Sequence, residues 1–306
     1  MSPPPHLHWK IMQSPSSPTP SLPTQNRFLL ITALTLVDSL HFVFARLLLP
    51  YVSPGVSAMY VLAFATLEVG IFGVLSGRIH ILTMRRNLVF FLIIGFLVAI
   101  STNINYEAVA FIDPGTASLL SQTSIIFGLA LGLFWLRDKL TRKQLMGALI
   151  AIVGVLIITF QPGDYLRLGS FMVLVSSFLY ALHAAITKRY GSDFEFVDFF
   201  FFRLLCTTLF LFIFAVSRQQ FALPSWKAVL LLILVGTVDV VISRTLFYVT
   251  LRRMDMSVHA IILTLSPVAT VLWSLLLFST FPTWGQLLGG AAVLVGVLIV
   301  TLNQVR

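Results

Sequence analysis

Residues 106–159 slide onto residues 248–301 at a constant offset of 142 positions, without a gap. Fourteen of the fifty-four aligned positions are identical. Apolar stretches match by chance, so the polar and glycine matches carry the weight. Tyr106 falls on Tyr248, Asp113 on Asp255, Ser124 on Ser266, Thr141 on Thr283, Gln144 on Gln286, Gly147 on Gly289 and Gly154 on Gly296. The charges do not repeat. Arg137, Asp138, Lys139, Arg142 and Lys143 fall on Ser279, Thr280, Phe281, Trp284 and Gly285, while Ala110 and Phe111 fall on Arg252 and Arg253. Two copies whose basic loops lie at different ends are what opposite insertion into a membrane predicts.

The composition supports that setting: 58% hydrophobic, 10% charged, mean hydropathy +0.97. Ten apolar runs are expected to be helices, at about 28–49, 55–76, 88–110, 114–136, 141–160, 168–189, 194–216, 226–249, 256–278 and 283–302. Each is long enough to cross ~30 Å of hydrocarbon at 1.5 Å per residue. Spanning strands would be half as long and would alternate in polarity. The expected fold is therefore an all-α membrane protein, with ten transmembrane helices arranged as two inverted five-helix repeats over 28–160 and 168–302.

Loop charges set the orientation. Leaving aside Arg203 and Arg244 deep within spans, fourteen Lys and Arg residues fall on the N-terminal side and four, Arg46, Arg167, Arg218 and Lys227, on the other. Both termini are expected in the cytoplasm. Residues 1–27 hold seven prolines among many Ser and Thr, which reads as a disordered cytoplasmic tail and not a signal peptide. His6 and His8 in that tail are poor metal ligands. The single cysteine, Cys206, permits no internal disulfide. No cofactor, metal or nucleic-acid partner is expected.

Some residues read as punctuation. Asp113 before Pro114, and Asp255, suit N-caps; Thr141-x-x-Gln144 and Thr283-x-x-Gln286 are capping-box patterns. Pro267 lies near the middle of the ninth run, where its missing N–H predicts a kink and a candidate hinge.

Five charged side chains fall inside spans: Asp38, Glu68, Arg203, Asp239 and Arg244. Each costs about 2.5–3.5 kcal/mol if left unpaired in lipid, so they are expected to face one another or water. Counting along the helices puts Asp38, Glu68, Arg203 and Asp239 at one depth, and adjacent spans favour an Arg203–Asp239 pair. Arg244 lies lower, towards its helix end. His41, Asn103, Tyr106, Gln122 and Tyr248 are weaker candidates for the same polar cavity, which would bind substrate or a coupling proton. Asn105 is a candidate of the same kind; Glu107, His183 and His259 are weaker still.

With the repeat in view, residues 137–157, Arg-Asp-Lys-Leu-Thr-Arg-Lys-Gln-Leu-Met-Gly-Ala-Leu-Ile-Ala-Ile-Val-Gly-Val-Leu-Ile, resemble the end of an EamA-type repeat of the drug/metabolite transporter superfamily. Ser266-Pro267, Gln286, Gly289 and Gly296 carry the resemblance in the second copy. It implies a ten-helix inverted-repeat transporter with a central cavity and peripheral fifth and tenth helices. It also implies a small-metabolite substrate, often moved outward. Ile125 and Thr280 depart from the family pattern, which points to an asymmetric binding site.

The resulting expectation is an alternating-access exporter of small polar metabolites, amino acids among them, in a bacterial inner membrane. Opposite charges in one cavity suit a zwitterion. An intramembrane enzyme would need a catalytic set, and no HExxH, paired nucleophile and base, or phosphate-cradling glycine loop is present. A channel would favour rings of like charge.

Overall fold

The computed structural model describes residues 24–135, 141–159, 168–191, 194–247 and 265–302. Tyr248, Asp255 and His259 lie outside these residues, as does the tail before Thr24. Among the described residues the structure is helical and contains no strand. The helices are α1 (Thr24–Asp38), α2 (His41–Leu48), α3 (Pro54–Leu75), α4 (Ile81–Arg86), α5 (Leu88–Ala108), α6 (Pro114–Ser121), α7 (Thr123–Phe134), α8 (Arg142–Thr159), α9 (Leu168–Tyr190), α10 (Phe196–Ser217) and α11 (Trp226–Val235). A π-helical segment, Gly236–Ile242, continues α11, and α12 (Ser266–Phe278) and α13 (Trp284–Leu302) follow.

Among the described residues, six stretches are long and apolar enough to cross a membrane: Pro54–Leu75, Leu88–Ala108, Pro114–Gly132, Leu168–Tyr190, Phe196–Ser217 and Trp226–Phe247. The other four apolar runs hold α8, α12, α13 and the broken pair α1–α2.

Local chemistry sets the helix ends. Asp113 caps α6 by accepting the Thr116 N–H at 2.8 Å, and Ser225 caps α11 through the Ala228 N–H. Both capping boxes form. Gln144 Oε1 accepts the Thr141 N–H at 2.8 Å, and Gln286 Oε1 accepts the Thr283 N–H at 2.7 Å.

Pro267 stands in the first turn of α12, where a missing N–H breaks no intrahelical bond. The kink expected at Pro267 would involve the carbonyl of Leu263. Residues 248–264, which would precede such a kink, lie outside the described residues.

Packing is reciprocal between the copies. A Cβ on Gly147 would lie 2.7 Å from the Gly296 carbonyl oxygen, and one on Gly154 would lie 2.5 Å from that of Gly289. Because Gly147 matches Gly289 and Gly154 matches Gly296, α8 and α13 cross antiparallel through equivalent surfaces, backbone against backbone. On the other side of the bundle, α3 and α10 pack closely, with Thr66 Oγ1 3.0 Å from Thr208 Oγ1. The main core lies between these elements and includes Leu48, Val56, Leu120, Leu204, Leu211 and Leu232.

Candidate functional site

Four backbone irregularities meet around one cavity. The first run breaks between Asp38 and His41, with Leu40 N–H bonding three residues back to Val37. The fourth tightens at Gln122, whose N–H reaches Leu119. The eighth widens into the π segment, and α12 begins after Leu265. Each irregularity brings a polar residue to the cavity wall: Asp38, Gln122, Asp239 and Ser266. Interrupted helices and π-bulges recur where a side chain must be aimed into a site.

The cavity holds about 300 Å³. Of the residues singled out from the sequence, Asp38, His41, Tyr106, Gln122, Arg203, Asp239 and Arg244 line it. Two do not. The Glu68 carboxylate accepts the Thr237 hydroxyl at 2.7 Å between α3 and the π segment. Asn103 donates to Glu107 at 2.9 Å, and Glu107 pairs with Arg218 at 2.6 Å. That ion pair is half-exposed and contributes little to stability. The alternation of faces explains the exchange: Asn105, two positions on, lines the cavity instead.

The expected Arg203–Asp239 pair is replaced by another. Asp239, 4% exposed, is bonded to His41, with Nδ1 and Oδ2 2.9 Å apart. Depth along the helix was matched correctly, but the π segment puts an extra residue into its turn and changes the direction in which Asp239 points. Asp38 accepts the Ser266 hydroxyl at 2.9 Å. Arg203 is 7% exposed, and its guanidinium lies over the Phe200 ring at 5.4 Å. Its Nε has no hydrogen-bond partner among the described residues. The Tyr106 hydroxyl and Asn105 Oδ1 are also buried without a partner. A buried polar atom left this way costs about 1–3 kcal/mol, which a polar molecule bound in the cavity would recover.

Sequence reasoning missed the hydroxyls of the wall. Ser101 and Ser176 face each other at 2.8 Å, and Ser177, Ser118, Ser121 and Ser124 lie around them. Serines within apolar runs were the available signal, but they read equally well as close helix packing. His183 is buried beside Tyr180, outside the cavity lining.

One cluster lies away from the cavity. His80, Glu195 and Asp198 have ligand atoms within 4.8 Å of one another, a spacing that could suit a metal. The Asp198 oxygens already accept the His80 N–H at 2.7 Å and the Thr83 hydroxyl at 3.0 Å, and one lies 3.0 Å from His80 Nδ1. The arrangement is a clasp joining α4 to the start of α10.

Several apolar helices of membrane-spanning length around a polar cavity of mixed charge define a multi-pass membrane protein. The model of the EamA-like transporter family matches twice, over residues 27–160 and 167–302, and the chain belongs to that family.

Among similar proteins is the "Uncharacterized transporter YdfC" of Bacillus subtilis, 27% identical over 190 residues, covering 61% of this chain and 62% of that one. A "Probable amino-acid metabolite efflux pump" of Salmonella typhimurium is 36% identical over 78 residues, covering 24% and 26%. An "Uncharacterized transporter in sor 3'region" of Acidianus ambivalens is 26% identical over 109 residues, covering 35% and 42%. The chain thus spans less than two thirds of the length of these relatives. A solved crystal structure at 20% identity has a TM-score of 0.61 and covers 92% of this chain and 99% of its own. That likeness concerns the fold alone.

Proposed function

We propose that the protein exports small zwitterionic metabolites, amino acids in the first place, by alternating access between two inverted five-helix halves. The observation that carries this reading is the cavity itself. Arg203 presents a buried guanidinium with an unused Nε–H, a donor suited to a carboxylate. Asp38 and Asp239 present carboxylates on other helices for an ammonium group. Asn105 and Tyr106 add two unpaired polar atoms on the same wall.

Inversion is supported by the antiparallel glycine contacts between α8 and α13, and by the asymmetry of the loop charges. Ten spans follow if α1–α2, α8, α12 and α13 cross the membrane alongside the six long helices, which leaves both termini in the cytoplasm. The resemblance of one stretch to a protein named as an amino-acid metabolite efflux pump supports both the substrate class and the outward direction. In this scheme Pro267 and the breaks at Ser39–Leu40 and Gln122 are the flexible points about which the halves rock.

The test is a counterflow screen of radiolabelled metabolites on the purified protein in liposomes. Exchange of amino acids and other zwitterions is the expected result. Ion conductance without exchange would replace the transporter mechanism with a channel.

A further inference from the structure

We propose that the His41–Asp239 pair carries the coupling proton, and that the protein exchanges one proton for each zwitterion it moves. The inference rests on the substrate class proposed above. Asp239 is 4% exposed inside an apolar helix, and its one side-chain partner among the described residues is His41. A carboxylate at such a place needs a cation. The imidazolium form of His41 supplies one; the neutral imidazole leaves the Asp239 carboxylate without that cation. His41 keeps 27% of its side chain accessible and lines that cavity, so its proton can leave to water there.

The surrounding charges make the exchange specific. The charged and titratable groups that face His41 are Asp239 on the π segment, Asp38 at the end of α1, Tyr106 on α5, Arg203 on α10, and Arg244 beyond the π segment. The two arginines offset the two aspartates, which leaves the imidazole proton as the variable charge. A zwitterion that sets its carboxylate on Arg203 brings its ammonium group to the aspartate side. There the ammonium replaces the imidazolium as the cation beside Asp239, and the His41 Nδ1 proton is released to water. On the opposite membrane face, departure of the zwitterion lets His41 take up a proton again. No bond other than this N–H is made or broken. One charge crosses per cycle.

The experiment uses the full-length protein in liposomes with a radiolabelled L-amino-acid mixture. Wild type is expected to accumulate label when the lumen is acidic, by up to about tenfold per pH unit at one-for-one exchange. His41→Gln is expected to lose this dependence on the gradient, so that the ratio of gradient-driven to gradient-free uptake falls to one. A wild-type current measured on solid-supported membranes guards against an inactive variant, and net positive charge should leave the vesicles as label enters.

Electroneutral transport, accumulation driven by an alkaline lumen, or a His41→Gln protein that still answers the gradient would overturn the proposal. Wild-type counterflow with no response to pH would sink the proton exchange and leave the substrate reading standing. Absence of counterflow would remove both.

Discussion

Thr66 and Thr208, separated by the same 142 positions as the two sequence copies, meet hydroxyl to hydroxyl at 3.0 Å. Two copies related by a two-fold axis would bring residues at matching positions together beside that axis. The glycine contacts between α8 and α13 are reciprocal, Gly147 against Gly296 and Gly154 against Gly289. An axis of this kind, if it lies in the membrane plane, turns one copy upside down.

That orientation is open to direct labelling. Lys143 and Gly285 are repeat-equivalents at the starts of α8 and α13. In a Cys206→Ser background, Lys143→Cys should react with a membrane-impermeant maleimide from the cytoplasmic face only. Gly285→Cys should react from the outer face only. Labelling of both from one face would contradict the inversion.

Glycines of the bundle should divide sharply by position, as Gly154 of α8 and Gly128 of α7 show. A Cβ at Gly154 meets the Gly289 carbonyl oxygen at 2.5 Å and the Val293 nitrogen at 2.7 Å, and backbone atoms cannot swing aside as a side-chain tip can. Gly154→Ala should destabilise the protein by about 1–3 kcal/mol, the usual cost of overpacking. Gly128 has open space at the Cβ position, so Gly128→Ala should be neutral or stabilising by up to about 1 kcal/mol through helix propensity. Thermal unfolding in one detergent, both variants beside wild type, checks the pair.

Asp198 should govern the exposure of the loop between α3 and α5. Its carboxylate accepts the His80 N–H and the Thr83 hydroxyl and lies within hydrogen-bond distance of His80 Nδ1. Asp198→Ala leaves these groups without that acceptor, at a cost of about 1–3 kcal/mol. Limited trypsin digestion should then cut faster at Arg78, Arg85 and Arg86. An unchanged digestion rate would mean that the clasp does not hold α4 in place.

The sequence made the helices legible because their signals are one-dimensional. The two Thr-x-x-Gln boxes and the Asp113 cap depend on neighbours a few positions away, and each forms as expected. Depth was legible too, since a fixed rise per residue carries Asp38, Arg203 and Asp239 to one cavity.

Azimuth was not. A break at Ser39–Leu40 and an added residue in the π segment each reset the direction of the side chains that follow, and neither is marked by a proline. Hence Asp239 meets His41 in place of Arg203. On the unbroken α3 and α5, Glu68 turns to Thr237 and Asn103 to Glu107, while Asn105 faces the cavity. The serine wall was hidden for another reason: within one helix, a hydroxyl that packs and a hydroxyl that binds look alike.

The central claim is that Arg203 holds the carboxylate of a transported zwitterion, and counterflow in liposomes with wild type and Arg203→Ala side by side tests it most directly. A charge-assisted hydrogen bond of about 2–3 kcal/mol predicts a loss of at least about 30-fold in exchange. The variant should still insert and elute as the wild type does. A correctly inserted Arg203→Ala protein that exchanges amino acids at the wild-type rate would contradict the account.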